Sequence, residues 1–244
     1  VELAFVQGVP IGTLKVSEVG ETVGINDRVQ LAHAEKTLRH RILNHWMREG
    51  VTMIDPASTV IDSGVEIGRD TIIYPNTLLL GKSKIGSRCI LGPGTVAKDS
   101  IVGSNCKIVT SVLEGAVLER DVDMGPFSHL RPGSYLEKGV HIGNFCEIKG
   151  SRLSTGVAMG HFGYLGNASV GPNANIGAGT VTCNYDGQAK HHTVIEEGAL
   201  IGSDTMLIAP VTVGKGAVTG AGSVVTKDVP PNGLVVGVPA KSKK

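Results

Sequence analysis

Aromatic side chains are scarce in this chain, 4% of 244 residues with a single Trp. A wide globular core uses such bulky groups to fill its volume, so their deficit implies a narrow interior packed with small aliphatics. Charge of one sign is also missing: 23 Lys and Arg stand against 22 Asp and Glu, for a net charge of +1. That balance removes any bulk electrostatic case for nucleic acid or an anionic membrane as partner. No apolar run approaches the roughly 18 to 20 residues of a membrane span. The four cysteines, Cys89, Cys106, Cys146 and Cys183, form no C-x-x-C pair and are too sparse for a disulfide scaffold, so they read as free buried thiols. The chain opens Val1-Glu2-Leu3, with no initiator Met, basic n-region or cleavage-like site. The expectation is a fragment or processed chain that works in the cytoplasm.

Glycine is abundant, 34 residues, about twice its usual share, yet without the G-x-y period of collagen. The period that does exist is six. An aliphatic recurs at Ile61, Ile67, Ile73, Leu79, Ile85 and Leu91 without a slip, and the pattern returns at Val102 and Ile108. It runs again through Leu118, Met124, Leu130, Leu136, Ile142 and Ile148, and through Ile195, Ile201, Leu207, Val213, Thr219 and Val225. Neither a strand period of two nor a helical period of 3.6 yields this spacing. Each hexad supplies one inward aliphatic, a small residue at a corner and outward polar positions. Three hexads close a triangular coil, and stacked coils share a thin column of Val, Ile and Leu. The expected fold is mainly β: a left-handed parallel β-helix over 51–244, an exception to the right-handed crossover tendency.

Upstream, Leu31, Ala34, Leu38, Ile42 and Trp46 recur at spacings of three and four, which predicts one helix from Asp27 to Glu49 with an apolar stripe. Asn26 or Asp27 caps its start, Gln30 completes a capping-box pattern, and Gly50 occupies the C′ position. Residues 27–50 thus form a linker helix carrying solvated His33, His40 and His45, and residues 1–26 read as the tail of another domain. Within the β-helix the repeat breaks at Val181 to Thr193, around T-C-N-Y-D-G-Q-A-K-H-H, where an extruded polar loop is expected. After Val225, the prolines of D-V-P-P-N-G-L-V-V-G-V-P-A-K are expected to stop the coil and cover its last edge.

Eight histidines raise a metal reading, since β-helices of this type include zinc-dependent carbonic anhydrases. His161, His191 and His192 lack the spacing and the acidic or thiol companion of a zinc site, so no metal is expected in the β-helix. His161 lies in M-G-H-F-G-Y-L-G-N, read as a glycine-flanked break in the hexad phase, with Glu147-Ile148-Lys149 about one coil earlier. Stacking would bring that carboxylate beside the imidazole as an orienting partner for a general base; the bland alternative is a corner histidine bonded to its neighbour. Arg131, Lys149 and Lys190 are either ordinary surface charge or an anion site, and Arg131 beside Pro132-Gly133 offers a fork suited to phosphate.

The stretch Arg131 to Asp228 contains R-P-G, H-I-G-N-F-C-E-I-K, G-H-F-G-Y-L-G, N-I-G-A-G-T-V-T-C-N-Y-D-G, G-S-D-T and A-P-V-T-V-G-K-G. It resembles the acetyltransferase half of the bifunctional UDP-N-acetylglucosamine pyrophosphorylase/glucosamine-1-phosphate N-acetyltransferases, and V-G-I-N-D-R is similar to their inter-domain junction. The resemblance implies transfer of acetyl from acetyl-coenzyme A to the amine of glucosamine-1-phosphate, on the route to UDP-N-acetylglucosamine for cell-wall precursors. It implies a homotrimer with shared sites, and uridylyl transfer confined to a nucleotidyltransferase domain this sequence does not contain. Magnesium would serve only that domain, with Asn26 a ligand in the longer parent.

Carried over motif by motif, His161 is the general base and Glu147 orients it. Arg131, Lys149, Tyr164, Asn175, Asn184 and Lys190 hold the amino-sugar phosphate. Asn184 and Tyr185 also flank the acetyl arm, Ala178 supplies a backbone N–H to the oxyanion, and Ser203 and Ala221 line the coenzyme groove. The family's C-terminal Arg for the coenzyme phosphates is absent from V-V-G-V-P-A-K, which leaves Lys241, with Lys243 and Lys244 beyond it, as poorer forks. The rival readings are another hexapeptide acyltransferase, a carbonic-anhydrase-like lyase, which requires stoichiometric zinc, and a scaffold indifferent to loss of His161.

Overall fold

A computed structural model describes residues 1–16 and 24–242. The chain divides into two units, Val1–Arg41 and Ile42–Lys244. The first unit holds a short helix, α1 (Glu2–Val6), and the start of α2 (Arg28–Arg48). At the head of α2, the Gln30 N–H donates to the Asp27 carboxylate at 2.8 Å, and the Asn26 N–H donates to the Gln30 side chain at 2.6 Å. Gln30 therefore reaches one residue further back than a standard capping box. The apolar stripe is only half used: Leu31 and Leu38 are exposed. In the second unit, Leu43 is buried in the β-helix core with Ile42 and Trp46 packed beside it.

From Thr52 onward, short strands fall in turn onto three sheets of 12, 10 and 9 strands. Among the described residues, strand pairing is parallel except at Lys241–Ser242, which closes antiparallel on Leu234–Val236. Every hexad residue named from the sequence is buried, from Ile61 to Val225. Ala97, Leu113 and Leu153 are buried as well, and at them the chain takes five-residue steps that reset the hexad phase. The core is one column, and each coil buries its inward side chains only against the coils above and below.

Corners are where residue identity is most constrained. Of 13 non-glycine residues with left-handed backbone among the described residues, nine are Asn or Asp, whose short side chains tolerate that region. Buried Ser and Thr at corners satisfy carbonyls of adjoining coils: Ser134 Oγ donates to Ile148 O at 2.9 Å, and Ser128 Oγ to Gly143 O at 2.7 Å.

Two sequence expectations change here. The repeat does not break over Val181–Cys183, which stays in the second sheet, nor at Thr193, which begins a strand of the third; the excursion is 184–192. The prolines after Asp228 do not end the coil either, since Leu234–Val236 still pairs with Val218–Thr219. Cys89, Cys106 and Cys146 are buried, whereas Cys183 is half-buried. No helix among the described residues is long and apolar enough to cross a membrane.

Candidate active site

The second sheet carries Glu147, Lys149 and Tyr164, with Arg131 and Asn184 just past strand ends, on four consecutive strands: β1 (His129–Leu130), β2 (Cys146–Lys149), β3 (Gly163–Gly166) and β4 (Val181–Cys183). Leu130, Ile148 and Leu165 point into the core, so the residues on either side of them face outward. Register then builds two outward columns. One contains His129, Glu147 and Tyr164. The other runs Lys98, Glu114, Arg131 and Lys149, since Glu114 pairs with Lys98 and both Leu113 and Ile148 are in register with Leu130.

Arg131 Nη1 donates to Glu147 Oε1 at 2.8 Å, and this contact raises the guanidinium's affinity for its proton. Lys149 makes no such bond, and the Glu147 charge relieves it only in part. The Lys190 ammonium sits against it, with Arg131 close by, and both hold the Lys149 ammonium below the usual lysine range. Three cations from three separate places in the sequence therefore converge on one patch, two of them as a like-charge pair that Glu147 offsets only in part.

Lys190 is delivered by the excursion, which is a tight, internally bonded hairpin. Tyr185 and Lys190 form an antiparallel bridge, and Gly187 supplies the left-handed turn at φ +98°. The Asp186 carboxylate accepts N–H bonds from Gln188 and Ala189 at 2.7 Å and lies 2.6 Å from His191 Nε2. The Ala189 N–H, then His191, hold the Asp186 carboxyl far below the ordinary carboxylate range. At the loop's root Asn184 is buried, its amide donating to Asn167 Oδ1 at 2.7 Å. This amide thus anchors the loop, a part the sequence did not suggest. Tyr185 is exposed, with its hydroxyl donating to Gly187 O.

His161 lies at the corner between the first and second sheets, just before β3. Met159 and Leu165 are both buried at their proper spacing, so the hexad phase is intact there, contrary to the sequence expectation. Glu147 also stands differently: its register partner is Tyr164, and its carboxylate is taken by Arg131. Among the described residues the His161 ring has no hydrogen bond, to Glu147 or to any other group. Glu147 thus bonds Arg131 and makes no bond to His161. The reason is register, which places Glu147 in line with a residue three positions beyond the histidine.

Ala178, Ser203 and Ala221 occupy the same corner position as His161 in successive coils, each following a buried residue and a glycine, and they are linked by Asp204 N to Ala178 O at 2.6 Å and Gly222 N to Ser203 O at 2.8 Å. Asn175 falls elsewhere. It is exposed on the first sheet, paired with Ala158 and Leu200, on a different face from Arg131. Lys241 is exposed on the terminal strand, and Lys243 and Lys244 lie outside the described residues. Asn26 is exposed beside α2. Among the described residues no group of three or more His, Cys, Asp or Glu is placed to hold a metal ion.

Glu114 and His129 were not singled out from the sequence. His129 Nε2 lies 2.8 Å from Glu114 Oε2, directly below the Arg131–Glu147 pair. The coil repeat, applied backward from Arg131, would have found both.

The hexapeptide β-helix is an architecture that transferases use, though not they alone. The family model described as bacterial transferase hexapeptide (six repeats) matches residues 64–98 and 192–227. Among solved structures, the UDP-N-acetylglucosamine acyltransferase of Francisella novicida aligns with a TM-score of 0.55 at 19% identity, covering 77% of this chain and 68% of that one; the likeness is one of fold. Among curated proteins, the chain is similar to one half of the bifunctional GlmU proteins. It is 51% identical over 227 residues to that of Thermosipho africanus, covering 93% of this chain and 50% of the relative. It is 52% identical over 213 residues to that of Syntrophomonas wolfei, covering 87% and 47%. The chain spans about half the length of these curated relatives.

Proposed function

We propose that this chain is a glucosamine-1-phosphate N-acetyltransferase, which moves the acetyl group of acetyl-coenzyme A onto the sugar amine. The observation that carries the reading is the Lys149–Lys190 pair beside Arg131. Two ammonium groups held together with only the Glu147 carboxylate to offset them are unfavourable, and a phosphomonoester dianion is the group that relieves them. Tyr164 adds a hydroxyl to the same face.

In this reading the amine nitrogen attacks the thioester carbonyl carbon while His161 takes the amine proton. The carbonyl electron pair moves to oxygen, and the tetrahedral oxyanion is met by the Ala178 N–H, which has no backbone acceptor among the described residues. Collapse expels the coenzyme thiolate, which takes up a proton. Ser203 and Ala221 continue the Ala178 corner along two further coils, a track suited to the pantetheine arm, and Lys241 serves the coenzyme phosphates. Tyr185 and Asn184 border the reacting end.

Asn175 supports a homotrimer. On its own chain it stands on a different face from the cations, so it can join them only if a second copy presents its first sheet to this second sheet. Lys190, by contrast, already lies against Lys149 of its own chain. Free thiols and a soluble coenzyme suit the cytoplasm. Magnesium has no part in this half-reaction.

The test is coenzyme thiol release with glucosamine-1-phosphate against plain glucosamine. His161→Ala should cut turnover by roughly 100-fold or more and leave coenzyme binding largely intact. Arg131→Ala should raise KM for glucosamine-1-phosphate and leave that for acetyl-coenzyme A nearly unchanged. Equal turnover of glucosamine and its phosphate by the wild type overturns the substrate assignment.

A further inference from the structure

Arg131 stands between two carboxylates on the outer face of the second sheet. Glu147, one coil beyond, bonds its Nη1. Glu114, one coil before and in the same outward column, is close enough to strengthen the guanidinium's hold on its proton. Glu114 nevertheless makes no hydrogen bond to Arg131. Its Oε2 is taken by His129 Nε2 at 2.8 Å, and since a carboxylate only accepts, that nitrogen carries the proton. Beyond the bond to Glu147, the guanidinium N–H groups of Arg131 have no partner among the described residues. The other charged or titratable groups facing this cluster are Lys98, Lys149, Tyr164 and, from the hairpin, Lys190.

We infer that His129 is a positioning residue for phosphate recognition, holding Glu114 away from Arg131 so that the open edge of the guanidinium stays free for the substrate's anion. The inference rests on the acetyltransferase reading above. Arginine presents five donors in a planar fork, and a second carboxylate on the fork would both occupy donors and cancel the charge that attracts a phosphate. Glu114 is the group placed to do this, and His129 is what engages it. The half-exposed imidazole need not touch substrate for this effect.

Isothermal titration with glucosamine-1-phosphate, paired with steady-state kinetics on the full chain, tests it. His129→Ala should weaken binding and raise KM for the sugar phosphate by about 10-fold, the loss of roughly one charge-assisted bond, with kcat changed less than about 2-fold. His129→Gln, whose amide can still donate to Glu114, should stay near wild type. Glu114→Gln combined with His129→Ala should restore affinity to within about 2-fold, which a direct contact between His129 and phosphate would not allow. Should His129→Ala not fold, His129→Leu, which covers the sheet face, carries the same comparison. If Arg131→Ala weakens binding but His129→Ala does not, or if the double variant remains as weak as the single, the inference falls. If Arg131→Ala itself leaves binding untouched, the reading of the phosphate site fails instead.

Discussion

Gly160 and Gly177 occupy the same place in successive coils, each following a buried core residue and preceding a candidate site residue, His161 or Ala178. Their surroundings differ. A methyl group added at Gly160 meets nothing within 4 Å, whereas at Gly177 it would lie 2.6 Å from both Ile201 O and Ser203 N. Both atoms are backbone, so no side-chain rotation can relieve the contact. Restoring an ordinary separation of about 3.5 Å would push the Ala178 corner roughly 1 Å away from the Ser203 corner. Overpacking of this kind costs about 1–3 kcal/mol. Gly177→Ala should therefore lower stability in urea by that amount and raise KM for acetyl-coenzyme A, because the track from Ala178 to Ala221 is the part displaced. Gly160→Ala should be neutral or stabilise by up to about 1 kcal/mol through the unfolded chain. Urea unfolding with a shared m-value, followed by coenzyme kinetics on both variants, decides it. Equal stabilities for the two would refute the argument from close backbone approach.

Leu136 is fully buried and in register with Leu118 and Leu153, so Leu136→Ala should cost about 2–5 kcal/mol in chemical denaturation, without altering the outward columns of the second sheet. The Asp186 carboxyl titrates below its unfolded value, so its contribution to loop order is present above about pH 4 and is lost only as pH falls through the depressed folded value. The Gln188 and Ala189 amides should therefore keep their exchange protection, relative to Asp186→Ala, down to about pH 4.5, and its loss by that pH would contradict the geometry. Asp186→Ala should loosen the hairpin that carries Lys190, raising KM for the sugar phosphate by about 10-fold while the unfolding midpoint of the β-helix stays in place.

The β-helix was legible because its determinants are local: one aliphatic every six residues survives in sequence as a period, and each of those residues is buried. The five-residue steps around Ala97, Leu113 and Leu153 were harder to read, since a corner with one residue fewer leaves no compositional mark. A hexad count also does not say which of three faces a residue occupies. That is why Asn175 could be grouped by motif with Arg131 although they stand on different sheets, and why Glu147 was set beside His161 when register aligns it with Tyr164. The exposed half of the helical stripe, Leu31 and Leu38, shows the converse limit, because amphipathic spacing specifies a face without specifying what covers it. The cationic patch was legible as residue types, but its like-charge pairing depends on a loop whose internal bonds no period announces.

Parallel strands stack about 4.8 Å apart, and this gives the site a graduated scale. Arg131 and Lys149 are one division apart, and Glu114 to Lys149 spans two. A side chain can be exchanged at any mark, but the marks cannot be moved, because sliding one coil against the next would turn core residues outward. Substrate preference in such a molecule should consequently evolve in discrete jumps, by changing which rung bears which charge or by extruding a loop as at 184–192, and not by gradual widening of a pocket.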